Sequence, residues 1–92
     1  MDITSYFSYL KTQFSVYDRL LLLFEDVTNR EDYDKITKEI LEIYFTNEKL
    51  HDTMVKENKV LPPPVETAWH NLRSSANHVL DFAIKFKEIK GL

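Results

Sequence analysis

Large apolar residues in the first third of the chain recur at alternating spacings of four and three positions. They are Ile3, Phe7, Leu10, Phe14, Tyr17, Leu21 and Phe24. This spacing is that of a heptad seam and predicts an amphipathic helix over residues 3–27. The apolar face is wider than the stripe that a surface helix needs, because one side of the seam also carries Tyr6, Tyr9, Val16, Leu20, Leu23 and Val27. Leu22 lies outside this face, among polar residues.

The middle third of the chain repeats the pattern and predicts a second helix over residues 30–58. Its seam consists of Tyr33, Ile36, Ile40, Ile43, Asn47, Leu50 and Met54. Asn29 is expected to cap the start of this helix, and Asn58 is expected to end it in a left-handed conformation. Asn47 is the one polar member of the seam, while Leu41 and Phe45 fall toward the polar side.

Three consecutive prolines, Pro62 to Pro64, separate the second segment from the third. They are expected to form a stiff connector, with Pro64 as the first residue of a helix over residues 64–90. The seam of this helix consists of Val65, Ala68, Leu72, Ser75, Val79, Phe82, Phe86 and Ile89. Trp69, Ala76 and Ala83 broaden the seam, and Ile84 lies off it. Gly91 is expected to end the helix.

Short connections make neighbouring helices antiparallel. The sequence therefore predicts an all-α fold, an up-down-up antiparallel three-helix bundle with long helices at about 3–27, 30–58 and 64–90. The length of 92 residues suits one helical domain spanning residues 1–92. A β fold is disfavoured because the single glycine is at position 91 and turn residues do not recur regularly.

The positions of the two connections allow the heights of residues along the bundle to be compared. Asn47 then lies level with Leu10 of the first helix and Ala76 of the third, which leaves Ser74 or Ser75 within reach of it, and Phe14 lies near Ser75. We expect a serine to satisfy the Asn47 amide, because a buried amide without a partner costs about 1–3 kcal/mol. A lone polar residue in a core can fix helix register. Met54 and Trp69 are expected to meet near the prolines, because sulfur packs well against aromatic rings.

Composition and charge exclude several classes of function. The chain has no cysteine, which removes disulfides and thiolate metal sites. A formal net charge of −3 provides no basic footprint for nucleic acid. The N-terminus lacks the basic region of a secretory signal, and the longest apolar run, Leu20 to Phe24, is too short to span a bilayer. We expect a cytoplasmic protein with neither membrane nor nucleic acid as a partner.

Arg73 and His78 match the Arg-x4-His spacing of the HEPN ribonuclease superfamily, which the chain resembles over these six residues. The resemblance implies a helical RNA-cleaving protein in which His78 transfers protons and Arg73 stabilises the phosphorane. The two residues are about 140° apart around one helix, so they cannot converge within one chain. Catalysis would therefore require a dimer, and the chain is short for that family.

No other arrangement of polar residues predicts a metal or a cofactor. His51, His70 and His78 lack the spacing that places two ligands on one helix face. Glu39 and Glu42 have the E-x-x-E spacing of bundle metal sites, but matching carboxylates are missing from the first helix. A solvated acidic face is the better interpretation of this pair.

The apolar residues that lie off or beside the seams are predicted to form a binding surface. They are Tyr9, Val16, Leu22, Leu23, Leu41, Phe45 and Ile84. We therefore favour a small acidic non-catalytic protein that acts by protein–protein interaction, with another protein or a second copy as its partner. Inhibitors, adaptors and immunity factors, including phage- or plasmid-borne ones, have this character. The alternative is a HEPN-like protein using Arg73 and His78 across a dimer.

Overall fold

The computed structural model describes residues 1–92 and consists of three α helices that pack against one another. Helix α1 spans Ile3–Leu23 and continues into a 3-10 turn at Phe24–Asp26, α2 spans Arg30–Asn58, and α3 spans Pro63–Lys90. The predicted all-α up-down-up bundle is confirmed. The molecule is a rod with extents of 45 × 17 × 17 Å. None of its helices combines the length and the apolar character needed to cross a membrane.

Side chains just outside the helices satisfy the first free amides of α1 and α2. The Ser5 backbone N–H donates to the Asp2 carboxylate over 2.7 Å at the start of α1. The predicted cap at Asn29 is confirmed, since its Oδ1 accepts from the Asp32 backbone N–H over 2.8 Å. The Asn29 Nδ2 also donates to the Asp32 carboxylate, so each residue satisfies a group of the other.

The predicted left-handed cap at Asn58 is wrong by one residue. Asn58 remains helical, and its Nδ2 donates back to the Met54 carbonyl over 2.8 Å. Lys59 takes the positive φ instead, at φ 61° and ψ −52°, and the Val60 N–H donates to the Asn58 carbonyl over 2.6 Å. Helix α3 then begins at Pro63, one residue earlier than predicted.

Replacing Lys59 with glycine is expected to raise the free energy of unfolding by about 1 kcal/mol, because a side chain at positive φ is strained. For a domain of this size the melting temperature should rise by roughly 4–8 °C. Thermal unfolding followed by circular dichroism measures the change. Lys56→Gly, within α2, is the matched control and should lower the melting temperature. A lower melting temperature for Lys59→Gly would show that the turn carries no strain.

The C-terminus is tied back to the start of α2. Gly91 ends α3 at φ 69°, as predicted, and the Leu92 N–H donates to the Lys87 carbonyl over 3.0 Å. Arg30 reaches across from α2, where its Nη1 donates to the Leu92 carbonyl over 2.9 Å. This contact links the start of α2 to the end of α3.

Helix α2 buries the seam that its sequence predicts, whereas α1 and α3 are turned partly toward the residues one position beside their seams. Leu10, Tyr17 and Phe24 of α1 and Val65, Leu72 and Val79 of α3 are buried as predicted. Helix α2 buries Tyr33, Ile40, Asn47 and Met54 as predicted. Helix α1 buries Tyr6, Leu10, Tyr17, Leu20 and Phe24. Helix α3 buries Val65, Trp69, Leu72, Ala76, Val79 and Ala83. The predicted seam residues Phe82 and Ile89 are 41% and 82% exposed.

The rotation has a physical reason in the size and polarity of the buried side chains. Ala76 and Ala83 offer small surfaces to the interior, which allows neighbouring helices to approach closely. Tyr6 and Tyr17 point their hydroxyls at polar groups of α2, so their burial leaves no hydroxyl without a partner. Interior packing of this kind selects one of two adjacent apolar stripes on the same helix.

Candidate functional site

A layer of hydrogen bonds crosses the middle of the core between α1 and α2. Asn47 is 3% exposed, and its Oδ1 accepts from the Tyr9 hydroxyl. Its Nδ2 donates to Gln13 Oε1 over 3.2 Å and to the Tyr17 hydroxyl over 3.4 Å. All three partners lie on α1, so the polar layer joins α1 to α2.

The predicted serine partner of Asn47 is wrong. Ser74 is exposed and Ser75 is half-buried, and both line a hollow between α1 and α3 that also contains Asp18 and Leu21. The rotation of α3 places Ala76, not Ser75, in the interior. A role of Asn47 in fixing register stays a prediction, as does the contact of Phe14 with Ser75.

A second polar cluster lies near the proline connector and joins all three helices. The Tyr6 hydroxyl is 2.7 Å from His51 Nδ1. The His51 ring stacks on Trp69, with centroids 4.1 Å apart and planes 7° from parallel. Burial is the main cause that lowers the pKa of His51, and it raises the pKa of Tyr6. A neutral imidazole can accept the Tyr6 proton at Nδ1, whereas a protonated one cannot.

Stability is expected to fall as the pH drops below about 6.5, because the unfolded chain then binds a proton that folded His51 resists. Stability falls in acid because burial lowers the pKa of folded His51. The negative charges of Glu66, Asp52 and Glu48 act to raise that pKa but do not outweigh burial. The only tryptophan, Trp69, reports the titration through its fluorescence.

His51→Gln, which keeps an acceptor for Tyr6, should remove this pH dependence of unfolding. His70→Gln is the matched control, since His70 is exposed and lies 3.6 Å from Glu66. If the wild type and His51→Gln lose the same stability between pH 7.5 and pH 5.5, the His51 explanation fails.

The two residues of the HEPN-like motif lie on different sides of α3. Arg73 faces α2, where its Nε is 3.1 Å from Glu48 Oε1, and bonding to Tyr44 and the Glu48 charge raise its pKa. Glu48 Oε1 is buried and has no well-aligned hydrogen bond, so the pair is held mainly by charge. His78 lines the hollow between α1 and α3 instead. One chain does not bring the two residues together, and catalysis across a dimer stays a prediction.

The other titratable residues form no metal-binding arrangement. No group of three or more histidine, aspartate or glutamate side chains is placed to hold a metal ion. His51 stacks on Trp69, whereas His70 pairs with Glu66 at the surface. Glu39 and Glu42 line separate hollows on the same side of the bundle.

An open groove runs between α1 and α2, and we call it the α1–α2 groove. It consists of two hollows that share Val16. The hollow nearer the α1–α2 connection, of about 420 Å³, is lined by Val16, Arg19, Leu20, Leu22, Leu23 and Glu39. The hollow nearer the middle of the bundle, of about 380 Å³, is lined by Tyr9, Gln13, Val16, Glu42, Ile43, Thr46 and Asn47. Leu22 and Leu23 are 59% and 47% exposed, so the groove presents apolar side chains to water.

The seven residues predicted as one binding surface divide into two groups. Four of them, Tyr9, Val16, Leu22 and Leu23, line the α1–α2 groove. The other three, Leu41, Phe45 and Ile84, are exposed on α2 and α3. Phe45 packs edge-on against Tyr44, and Ile84 lines a hollow with Tyr33 and Leu92. The groove therefore holds four of the seven residues of the predicted set.

Gln13 of the polar layer was not singled out from the sequence. With Tyr6, Leu10 and Tyr17 it follows spacings of four, three and four, a second seam that shares Leu10 and Tyr17 with the predicted one. A polar glutamine within such a seam was the available signal for a hydrogen-bonded layer. The stacking of His51 on Trp69 has no signal within one helix, because it depends on how α2 and α3 face each other.

No known protein-family model matches the chain, and no curated protein or solved structure is significantly similar to it.

Proposed function

We propose that this chain is a non-catalytic cytoplasmic protein that acts by binding another protein chain through the α1–α2 groove. The observation that carries the proposal is the exposure of Leu22 and Leu23 beside an open groove whose floor contains Leu20. Water would leave these apolar surfaces on docking, which contributes about 25 cal/mol per Å².

The rim of the groove supports the same function. Arg19, Glu39 and Glu42 border the apolar floor, and Tyr9 adds an aromatic ring with a hydroxyl. An apolar centre bordered by charged residues is the usual anatomy of a protein interface. A protein that binds through such a surface can act as an inhibitor, an adaptor or an immunity factor, including a phage- or plasmid-borne one.

Photo-crosslinking in the native cell tests the proposal. A benzophenone amino acid at Leu23 reports on the groove, and one at Ile84 is the matched control because both positions are exposed and aliphatic. We expect a crosslinked protein from position 23 that is absent from position 84 and is lost when Val16→Asp is added. Equal crosslinking from both positions, or crosslinking that survives Val16→Asp, would contradict docking in the groove.

A further inference from the structure

Opposite charges stand on the two walls of the α1–α2 groove. Arg19 belongs to α1 and Glu39 to α2, and both line the same hollow. Neither residue takes part in any of the four ion pairs of the chain. This hollow therefore carries one cation and one anion outside those ion pairs, and Glu42 adds a second such anion in the neighbouring hollow of the groove.

This arrangement is complementary to itself under two-fold rotation. A two-fold axis along the groove and parallel to the helices keeps every residue at its height and exchanges the sides of α1 and α2. Each α1 then lies opposite the α2 of the other copy. Arg19 of one copy consequently faces Glu39 of the other, and the same contact occurs twice.

We infer that the occupant of the α1–α2 groove is a second copy of this chain, held in a two-fold dimer with reciprocal Arg19–Glu39 pairs. This inference rests on the proposed function, since it uses the same groove. Val16, Leu22 and Leu23 supply the apolar contact, and the charge pairs select the orientation.

The dimer also separates this interaction from the HEPN-like alternative. Arg73 faces α2 from α3, and His78 lies in the hollow between α1 and α3. Neither residue lines the α1–α2 groove. A dimer with its two-fold axis along that groove therefore does not bring Arg73 and His78 together, so it does not complete the HEPN-like site.

Charge exchange at the groove tests the inference by sedimentation equilibrium of the full chain. Arg19→Glu alone and Glu39→Arg alone place like charges opposite each other twice per dimer, and each should weaken dimerisation about tenfold. The combined variant restores opposite charges and should recover the wild-type constant to within about threefold. Lys38→Glu makes the same charge change as Arg19→Glu on an exposed residue outside the groove and should leave the constant unchanged.

Two results would overturn the second copy as occupant. One is a wild-type chain that remains monomeric at millimolar concentration, and the other is a dimer whose constant does not respond to the charge exchange. Circular dichroism of each variant confirms that the exposed substitutions preserve the helices. If the chain is monomeric and position 23 still crosslinks a different protein in cells, this inference fails while the proposed function stands. If position 23 crosslinks no protein, both fail.

Discussion

Replacing Phe24 with alanine lowers the free energy of unfolding by about 3–5 kcal/mol, the largest loss we expect from one side chain. Phe24 is 1% exposed, and its ring centroid lies 5.9, 5.7 and 5.3 Å from those of Tyr33, Phe82 and Phe86. Removing the ring opens a cavity among three aromatic side chains. The total free energy of unfolding of a 92-residue chain is about 5–14 kcal/mol, so this loss is a large fraction of it.

Urea unfolding measures this loss through the transition midpoint and its slope. Phe45→Ala is the matched control, because the same side chain is removed from a position that is 63% exposed. We expect that control to change stability by no more than about 0.5 kcal/mol. Similar losses for the two variants would contradict the placement of Phe24 in the core and of Phe45 at the surface.

Replacing Asn47 with leucine is the substitution with the second largest expected effect, a loss of about 1–3 kcal/mol. Leucine adds apolar surface to the core, but it leaves the Tyr17 hydroxyl without a partner. Tyr17 is 1% exposed, so water cannot readily replace the lost Asn47 bond. The Tyr9 hydroxyl and Gln13 are less buried and can turn toward solvent.

A double-mutant cycle isolates this contribution. Tyr17→Phe removes the hydroxyl that Asn47→Leu leaves unpaired, so the combined variant should be more stable than Asn47→Leu alone. Unfolding in urea gives the coupling, and light scattering reports whether register or oligomeric state has changed. Unchanged stability with a single unchanged oligomeric state in Asn47→Leu would remove Asn47 as a residue that specifies the bundle.

The helices and their ends were largely predictable because their signals are local. Asn29 caps α2 by a hydrogen bond within the first turn, and Gly91 ends α3 by adopting a left-handed backbone conformation itself. The end of α2 shows the limit of such signals, since either Asn58 or Lys59 could have taken the positive φ. In the structure Lys59 takes it while the Asn58 side chain bonds back to Met54, and sequence pattern alone does not distinguish the two residues.

The rotation of α1 and α3 was not predictable because each helix carries two adjacent apolar stripes. Leu10 and Tyr17 belong to both stripes of α1, which continue through Phe7 on one side and Tyr6 on the other, and only packing against the other helices selects between them. The partner of Asn47 depended on that choice, which is why a serine was expected and tyrosines were found. The apolar residues of the predicted binding surface could be named from the sequence, but which of them share a groove depends on the relative placement of the helices.

The α1–α2 groove as the associating surface is tested most directly by sedimentation velocity of two aspartate variants. Leu23→Asp and Ile84→Asp introduce the same charge at aliphatic positions that are 47% and 57% exposed. If the groove is the interface, Leu23→Asp should abolish the dimer, because the new charge then lies against an apolar contact. Ile84→Asp, outside the groove, should retain the dimer. Retained association in Leu23→Asp, or equal loss in both variants, would contradict the groove as the binding surface.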